Sequence, residues 1–290
     1  MNFSKLRQWF GDRLWTKGDQ SAPHHGNVTF HNVSLHLDPQ WKHERKYIEY
    51  IVDGRFNGPI AMDVWVYHYF IPTAAVVLDG GANLGFTALL AAAEGAAEVH
   101  CFEPDPRLQP KLRRHCSGAA FRIYDVALGE ESSRLELIQS AAHNQGSTLN
   151  STLAEKFPAV FHNAESVTVD VNTIDALFVR KQFDLLKLDI EGGELAALRG
   201  AQQLLATTPP HVVYVELHEE FYQDAHELLK EHYEHSYRIV AADDGNCRLV
   251  NHDHDLSEFR SNRYFTDPPS YIYARVAVPE FMFSWCPGQS

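Results

Sequence analysis

Apolar positions along this chain fall into two regimes that meet near residue 74. In the first regime they recur at helical spacing. Phe3, Leu6, Phe10 and Leu14 share one helical face, with Lys5, Arg7, Arg13 and Lys17 between them. A polar linker covers 19–26, and positions 28–37 alternate as a hairpin arm does. Residues 44–52 read as an amphipathic helix with Tyr47, Ile48, Ile51 and Val52 inward. Gly54 stops it, and Pro59 starts another helix that reaches residue 70.

From Ala75 short apolar runs alternate with helix formers. Strands are expected at 75–78, 98–102, 121–126, 184–188, 212–217, 237–241 and 272–276. Helices are expected at 84–94, 106–115, 173–179, 193–206 and 221–233, with Pro209-Pro210 as a hard stop. Residues 135–138 and 167–171 read as a further strand pair, joined by a long polar loop around 143–150. Helices alternating with buried strands predict an α/β fold: a doubly wound, Rossmann-like, mostly parallel seven-stranded sheet. The expected division is an N-terminal helix, hairpin arm and cap over 1–70, a ligand-binding domain over 71–278 and a tail over 279–290.

Composition narrows the function. Apolar residues make up 44% of the 290, enough to fill one sizeable core. A formal charge of −13 argues against a nucleic-acid binder that tracks phosphates and against stable attachment to an anionic membrane. No apolar run reaches about 18 residues and no secretory signal opens the chain, so a reduced, cytoplasmic protein is expected. Cysteines at 101, 116, 247 and 286 lack paired spacing, and Cys101 reads as a small buried residue. The 17 histidines form no H-E-x-x-H and no zinc spacing; His24, His25, His252 and His254 read as loop residues. The leading helix docks either on its own domain or on a twin subunit, which makes a homodimer one expectation.

Three segments carry chemistry. The first is V-V-L-D-G-G-A-N-L-G at 76–85, a strand, a glycine turn and the start of a helix. A dinucleotide site wants G-x-G-x-x-G. Here Gly81 and Gly85 are kept, Asn83 fills the middle position, and Asp79 ends the strand. A carboxylate there repels a diphosphate and suits a cationic ligand with an amino group, such as S-adenosylmethionine. Glu103 follows the second strand, where an acid grips a ribose; the competing reading is a loop acid before a proline turn. Asp125, Val126 and Ala127 end the third strand, beside the expected adenine.

The second segment is F-D-L-L-K-L-D-I-E-G-G-E at 183–194. Lys187 and Asp189 interrupt a strand that ought to be apolar on both faces, so they need partners or a function. Lys187 reads as one half of a structural ion pair. Asp189 falls at the carboxyl edge, and Glu191 is either a catalytic acid or a first-turn helix acid. The third segment, V-V-Y-V-E-L-H at 212–218, brings Glu216 and His218 to the same edge, where His218 is either a base or a cap. Asp189, Glu191, Glu216 and His218 form the candidate catalytic group. Methyl transfer to a hydroxyl needs a base. Alternatively Asp189, Glu216 and His218 hold magnesium or manganese, which acidifies the hydroxyl. Metal-free base catalysis ranks ahead.

Taken in order, V-L-D-G-G-A-N-L-G-F, C-F-E-P-D-P, T-I-D-A-L, D-L-L-K-L-D-I-E-G-G-E-L-A-A-L-R-G-A and V-Y-V-E-L-H resemble the FkbM family of S-adenosylmethionine-dependent methyltransferases. The resemblance covers about 74–219, with weaker agreement to 276. It implies a methyltransferase-type sheet that binds S-adenosylmethionine and O-methylates a sugar, polyketide or other small metabolite. By position it places the cofactor motif on Asp79, Gly81, Asn83, Gly85 and Glu103. Gly80 departs from the family's usual valine. The N-Q-G-S-T loop at 144–148 resembles the family's small polar loop near the acceptor. Two other classes remain: a non-catalytic S-adenosylmethionine- or partner-binding module, and an NAD-dependent oxidoreductase, against which Asp79 and the missing middle glycine count.

Overall fold

Seven apolar runs of the second regime become strands of one sheet in the computed structural model. The structure describes residues 27–53, 58–141, 146–178, 180–241, 246–251, 269–278 and 282–284. The expected leading helix, the 19–26 linker, His24, His25, Asn144, His252, His254 and the tail from 285 lie outside the described residues.

In chain order the elements are β1 (Asn27–Phe30), β2 (Val33–His36), α1 (Lys42–Asp53), α2 (Gly58–Phe70), β3 (Val76–Gly80), α3 (Phe86–Glu94), β4 (Glu98–Phe102), α4 (Gln109–His115) and β5 (Phe121–Tyr124). Next come β6 (Ala127–Leu128), β7 (Ser133–Gln139), β8 (Ser147–Thr148), α5 (Ser151–Lys156), α6 (Pro158–Phe161), β9 (Glu165–Asn172) and α7 (Ile174–Leu177). The remainder are β10 (Leu185–Leu188), α8 (Glu194–Arg199), α9 (Gln202–Thr207), β11 (Val212–Glu216), α10 (Glu219–Lys230), β12 (His235–Ala241), β13 (Asn246–Asn251), β14 (Ser270–Ala274) and β15 (Met282–Ser284).

The main sheet runs β15-β13-β12-β14-β11-β10-β3-β4-β5. Strands β5, β4, β3, β10 and β11 pair in parallel. β14 inserts antiparallel between β11 and β12, so β12 returns to the direction of β11. Among the described residues the sheet therefore has nine strands, not the expected seven. The two additions, β13 and β15, extend its edge antiparallel. β13 reads N-C-R-L-V-N, with polar residues among its apolar ones, and β15 is only three residues long. The pair expected at 135–138 and 167–171 forms as β7 and β9, in a separate sheet ordered β6-β9-β7-β8.

Strand pleating sends alternate residues into two cores. Val77, Leu185, Tyr214 and Ile272 face one core, which they share with Val28, Phe30, Ile48, Tyr50 and Leu90. Leu78, Leu186, Val213 and Tyr273 face the other, with Leu198, Leu204 and Leu229. In α1 the inward set is shifted: Tyr50 is buried, whereas Val52 is exposed. The helix expected over 193–206 divides into α8 and α9. At the break Gly200 lies against the Gly129 backbone, where an added Cβ would be 2.0 Å from the carbonyl oxygen. The Gly200 carbonyl accepts the Asp175 N–H at 2.9 Å, and the Asp175 carboxylate accepts the N–H groups of Gln203 and Leu204 at the start of α9. Among the described residues no helix is long and apolar enough to cross a membrane.

Candidate functional site

Parallel strands end at one edge, and here the strand order reverses between β3 and β10. Ligands of doubly wound sheets bind at that switch point. A cavity of about 550 Å³ opens there, walled by Gly81, Asn83 and Glu103 on one side and by Asp189, Glu191, Glu216 and His218 on the other.

Glu103 is buried just past the end of β4. Its Oε2 accepts the Asn83 N–H at 2.9 Å and its Oε1 accepts the Asp105 N–H at 2.8 Å. The two donors fix the carboxylate while each oxygen keeps a lone pair for a ligand. Burial pushes its pKa up to about 7, against the backbone donors. Asn83 sits at φ 53°, a left-handed conformation that asparagine tolerates. Its Oδ1 is buried and has no hydrogen-bond partner among the described residues. A buried acceptor without a donor costs about 1–3 kcal/mol. A ribose hydroxyl or an ammonium would relieve that cost, so the Asn83–Glu103 pair fits S-adenosylmethionine.

Three residues expected at the cofactor lie off the cavity wall. Asp79 is fully buried behind the wall, not on it. Its Oδ2 accepts the Thr87 hydroxyl at 2.7 Å and its Oδ1 lies 3.3 Å from Lys187 Nζ. Parallel register sets Lys187 beside Asp79 on one side and Tyr214 on the other. Lys187 also lies 3.4 Å from Asp189 Oδ2 and donates to the Gly81 carbonyl at 2.9 Å. Burial would lower its pKa, but Asp189, Asp79 and Asp63 outweigh burial and hold it above the ordinary lysine value. The expected ion pair of Lys187 is thus a buried brace under the glycine turn. Gly85 lies off the cavity wall and caps α3 at φ 88°; a Cβ there would meet Cys116 Sγ at 2.5 Å. Asp125 is half-exposed and pairs with Arg113 of α4. The wall at that point consists of Val126, Ala127 and Leu128.

The acidic edge is assembled as a group. Asp189 is 44% exposed and pairs with Lys187. Glu191 occupies a tight turn at φ 54°, and its carbonyl accepts the Thr148 hydroxyl at 2.6 Å. Burial, then Asp189 and Glu194, push Glu191 up to about 8. Burial, then Asp189 and Glu191, hold Glu216 well above the usual carboxylate range. His218 is buried at the start of α10, makes no side-chain capping bond, and lies 6.3 Å from the Phe157 ring. Such an edge can take up a proton near neutral pH. Among the described residues no three His, Cys, Asp or Glu side chains group as metal ligands, and that includes Asp189, Glu216 and His218.

Sequence reasoning missed part of the wall. Asp63 of α2 lines the cavity, and its Oδ1 accepts the Tyr214 hydroxyl at 3.0 Å. Burial pushes Asp63 up to about 7, with Lys187 opposing. Its signal was present: a single acid within the apolar run G-P-I-A-M-D-V-W-V-Y. Beyond the polar loop around 143–150 the connection forms α5 and α6, and their Leu153, Val160 and Phe161, with Phe157 between them, form an apolar wall. Gly146 and Ser147 of the expected acceptor loop also line the cavity.

The Methyltransferase FkbM domain family matches residues 79–239. Methyltransferase FkbM from Methylobacillus flagellatus KT is similar at 16% identity over 72% of this chain and 50% of that one, with a TM-score of 0.41. The chain spans about half the length of that structure. Precorrin-6y C5,15-methyltransferase from Geobacter metallireducens GS-15 is 11% identical over 73% of this chain and 84% of that one, at TM-score 0.39. A TehB-like SAM-dependent methyltransferase from Corynebacterium glutamicum is 13% identical over 80% and 95%, at TM-score 0.39. No curated protein matches the chain. The family match covers more than half of the 290 residues and holds the glycine turn, Glu103 and the acidic edge in one stretch, so the chain belongs to the FkbM methyltransferase family.

Proposed function

We propose that this protein is an S-adenosylmethionine-dependent O-methyltransferase acting on a hydroxyl of a small metabolite such as a sugar or polyketide. The observation that carries the reading is the partnerless Asn83 Oδ1 beside the clamped Glu103 carboxylate, in the same cavity as the acidic edge. S-adenosylmethionine supplies a sulfonium-bound methyl group that is already electrophilic. The work left to the chain is positioning and proton removal. Glu103 accepts from the ribose hydroxyls, and Asn83 accepts from a cofactor donor. Val126, Ala127, Leu128 and Leu137 wall the adenine end. Glu191, Glu216, Asp189 and His218 form the proton-accepting edge. A carboxyl with a pKa near 8, as Glu191 has, is matched to a base working at neutral pH. In this reading residues up to 70 are the cap, 71–278 the methyltransferase domain and 279–290 a tail.

The test has two stages. Calorimetric titration compares S-adenosylmethionine with NAD. Isotopically labelled S-adenosylmethionine is then incubated with a panel of sugars, polyketides and peptides, and products are read by mass spectrometry. Binding of the sulfonium cofactor with label on an acceptor oxygen supports the reading. NAD binding in its place, or label only on nitrogen or carbon, overturns it. Tight cofactor binding with label on no acceptor would favour a non-catalytic binding module.

A further inference from the structure

We infer that Lys46, on α1, binds a carboxylate at the end of this cavity, and that the carboxylate is the one on the amino-acid portion of the cofactor. The inference rests on the cofactor reading above and extends it to a segment outside the family match, which begins at residue 79.

Five carboxyl groups line the cavity, those of Asp63, Glu103, Asp189, Glu191 and Glu216, and Lys46 and Lys187 line it too. Lys46 is half-buried and makes no hydrogen bond or ion pair with the described residues. Burial, then Lys42, pull its pKa down, and only Glu49 opposes them. Lys187 shows the contrast. That lysine is more deeply buried but holds two carboxylates and a carbonyl. A partly desolvated ammonium with no carboxylate in direct contact is unfavourable by itself, and an anionic ligand would relieve it.

The placement of α1 says which anion. Tyr47, the next residue, stacks on Phe86 with ring centroids 4.5 Å apart and planes at 22°. Phe86 is the first residue of α3, directly after the glycine turn. Lys46 therefore lies on an element packed against the start of α3, where the helix dipole also favours negative charge. Asn83, with its partnerless Oδ1, belongs to the same turn. An α-amino acid presents an ammonium and a carboxylate together, and this end of the cavity offers a receptor for each. The lysine is also held in place. Glu44, two residues earlier, accepts from Lys111 Nζ at 2.7 and 2.8 Å and from the Asp38 N–H at 2.6 Å, which fastens α1 to α4.

Calorimetry with S-adenosylmethionine and with its decarboxylated analogue tests this on the wild type, Lys46→Met and Lys46→Arg. Lys46→Met weakens S-adenosylmethionine roughly tenfold, the worth of one charge-assisted contact. Lys46→Arg restores most of the affinity. The decarboxylated analogue binds the wild type and Lys46→Met equally. Thermal melting of the ligand-free Lys46→Met protein is no lower than that of the wild type, because an unfavourable charge has been removed. Wild-type affinity of Lys46→Met for S-adenosylmethionine overturns the inference and leaves the cofactor reading intact. Equal weakening of both ligands, or a loss of melting temperature, shows a structural lysine and also overturns it. A wild type that binds neither ligand sinks the cofactor reading as well.

Discussion

Glu103 shows how one side chain is prepared before a ligand arrives. Two backbone N–H groups hold it, and burial keeps its pKa near 7. An ionised carboxylate accepts hydrogen bonds more strongly than a protonated one. Affinity for S-adenosylmethionine therefore rises as pH increases through about 7, and titration calorimetry across that range reads it. Glu103→Gln weakens binding about tenfold and flattens the dependence, since charge-assisted bonds become neutral ones. A Glu103→Gln protein with wild-type affinity and the wild-type pH profile would remove Glu103 from the ribose contact. Spacing after the glycine turn made Glu103 legible in the sequence. Asp79 was legible as an acid at a strand tip, but not as a partner of Lys187. Which residue lies beside it depends on register with β10, which is a tertiary fact.

Elements are fixed in this site by close approaches as much as by propensity. Gly85 begins α3 at φ 88°, and an added Cβ would press on Cys116 Sγ at 2.5 Å. Gly85→Ala meets both backbone strain and overpacking. It is expected to lower the unfolding free energy by about 1–3 kcal/mol, measured by urea denaturation. Unchanged stability would mean that α4 can retreat from α3 at little cost. The aromatic stack of Phe30 and Tyr47 on Phe86 joins the N-terminal elements to the same helix. Amphipathic spacing placed α1, and Pro59 as a start signal placed α2. These local signals did not reveal that α1 meets α3 through Tyr47 or that Asp63 meets Tyr214. Nor did they show the break between α8 and α9, where Gly200 meets the Gly129 backbone and Asp175 accepts from the start of α9.

At the scale of the whole molecule, carboxyl groups are concentrated where charge is hardest to solvate. Burial raises Asp63, Glu103 and Glu194 to about 7 and Glu191 to about 8. The folded protein holds protons there that the unfolded chain has already released. Stability of the ligand-free protein therefore falls as pH rises through the raised values. Below 6.5 the buried His100 and His115, whose pKa values are lowered, act in the opposite sense. The clear window thus runs from about 6.5 to about 8, and thermal melting should decline across it. Glu191→Gln flattens the upper part of that decline. A melting temperature that rises through this window would contradict the buried carboxyl cluster. The sequence by itself determined the alternation of strand and helix, the glycine turn, the family resemblance and the acids at the strand tips. These follow from local periodicity and from motifs that lie within a few residues of one another. Only the tertiary structure decided that Asp79 serves Lys187, that Asp125 leaves the cavity to its apolar neighbours, and that α1 and α2 contribute Lys46 and Asp63. The reason is that strand register and the docking of distant helices determine which side chains share one low-dielectric space, and neither is written in any short stretch of sequence.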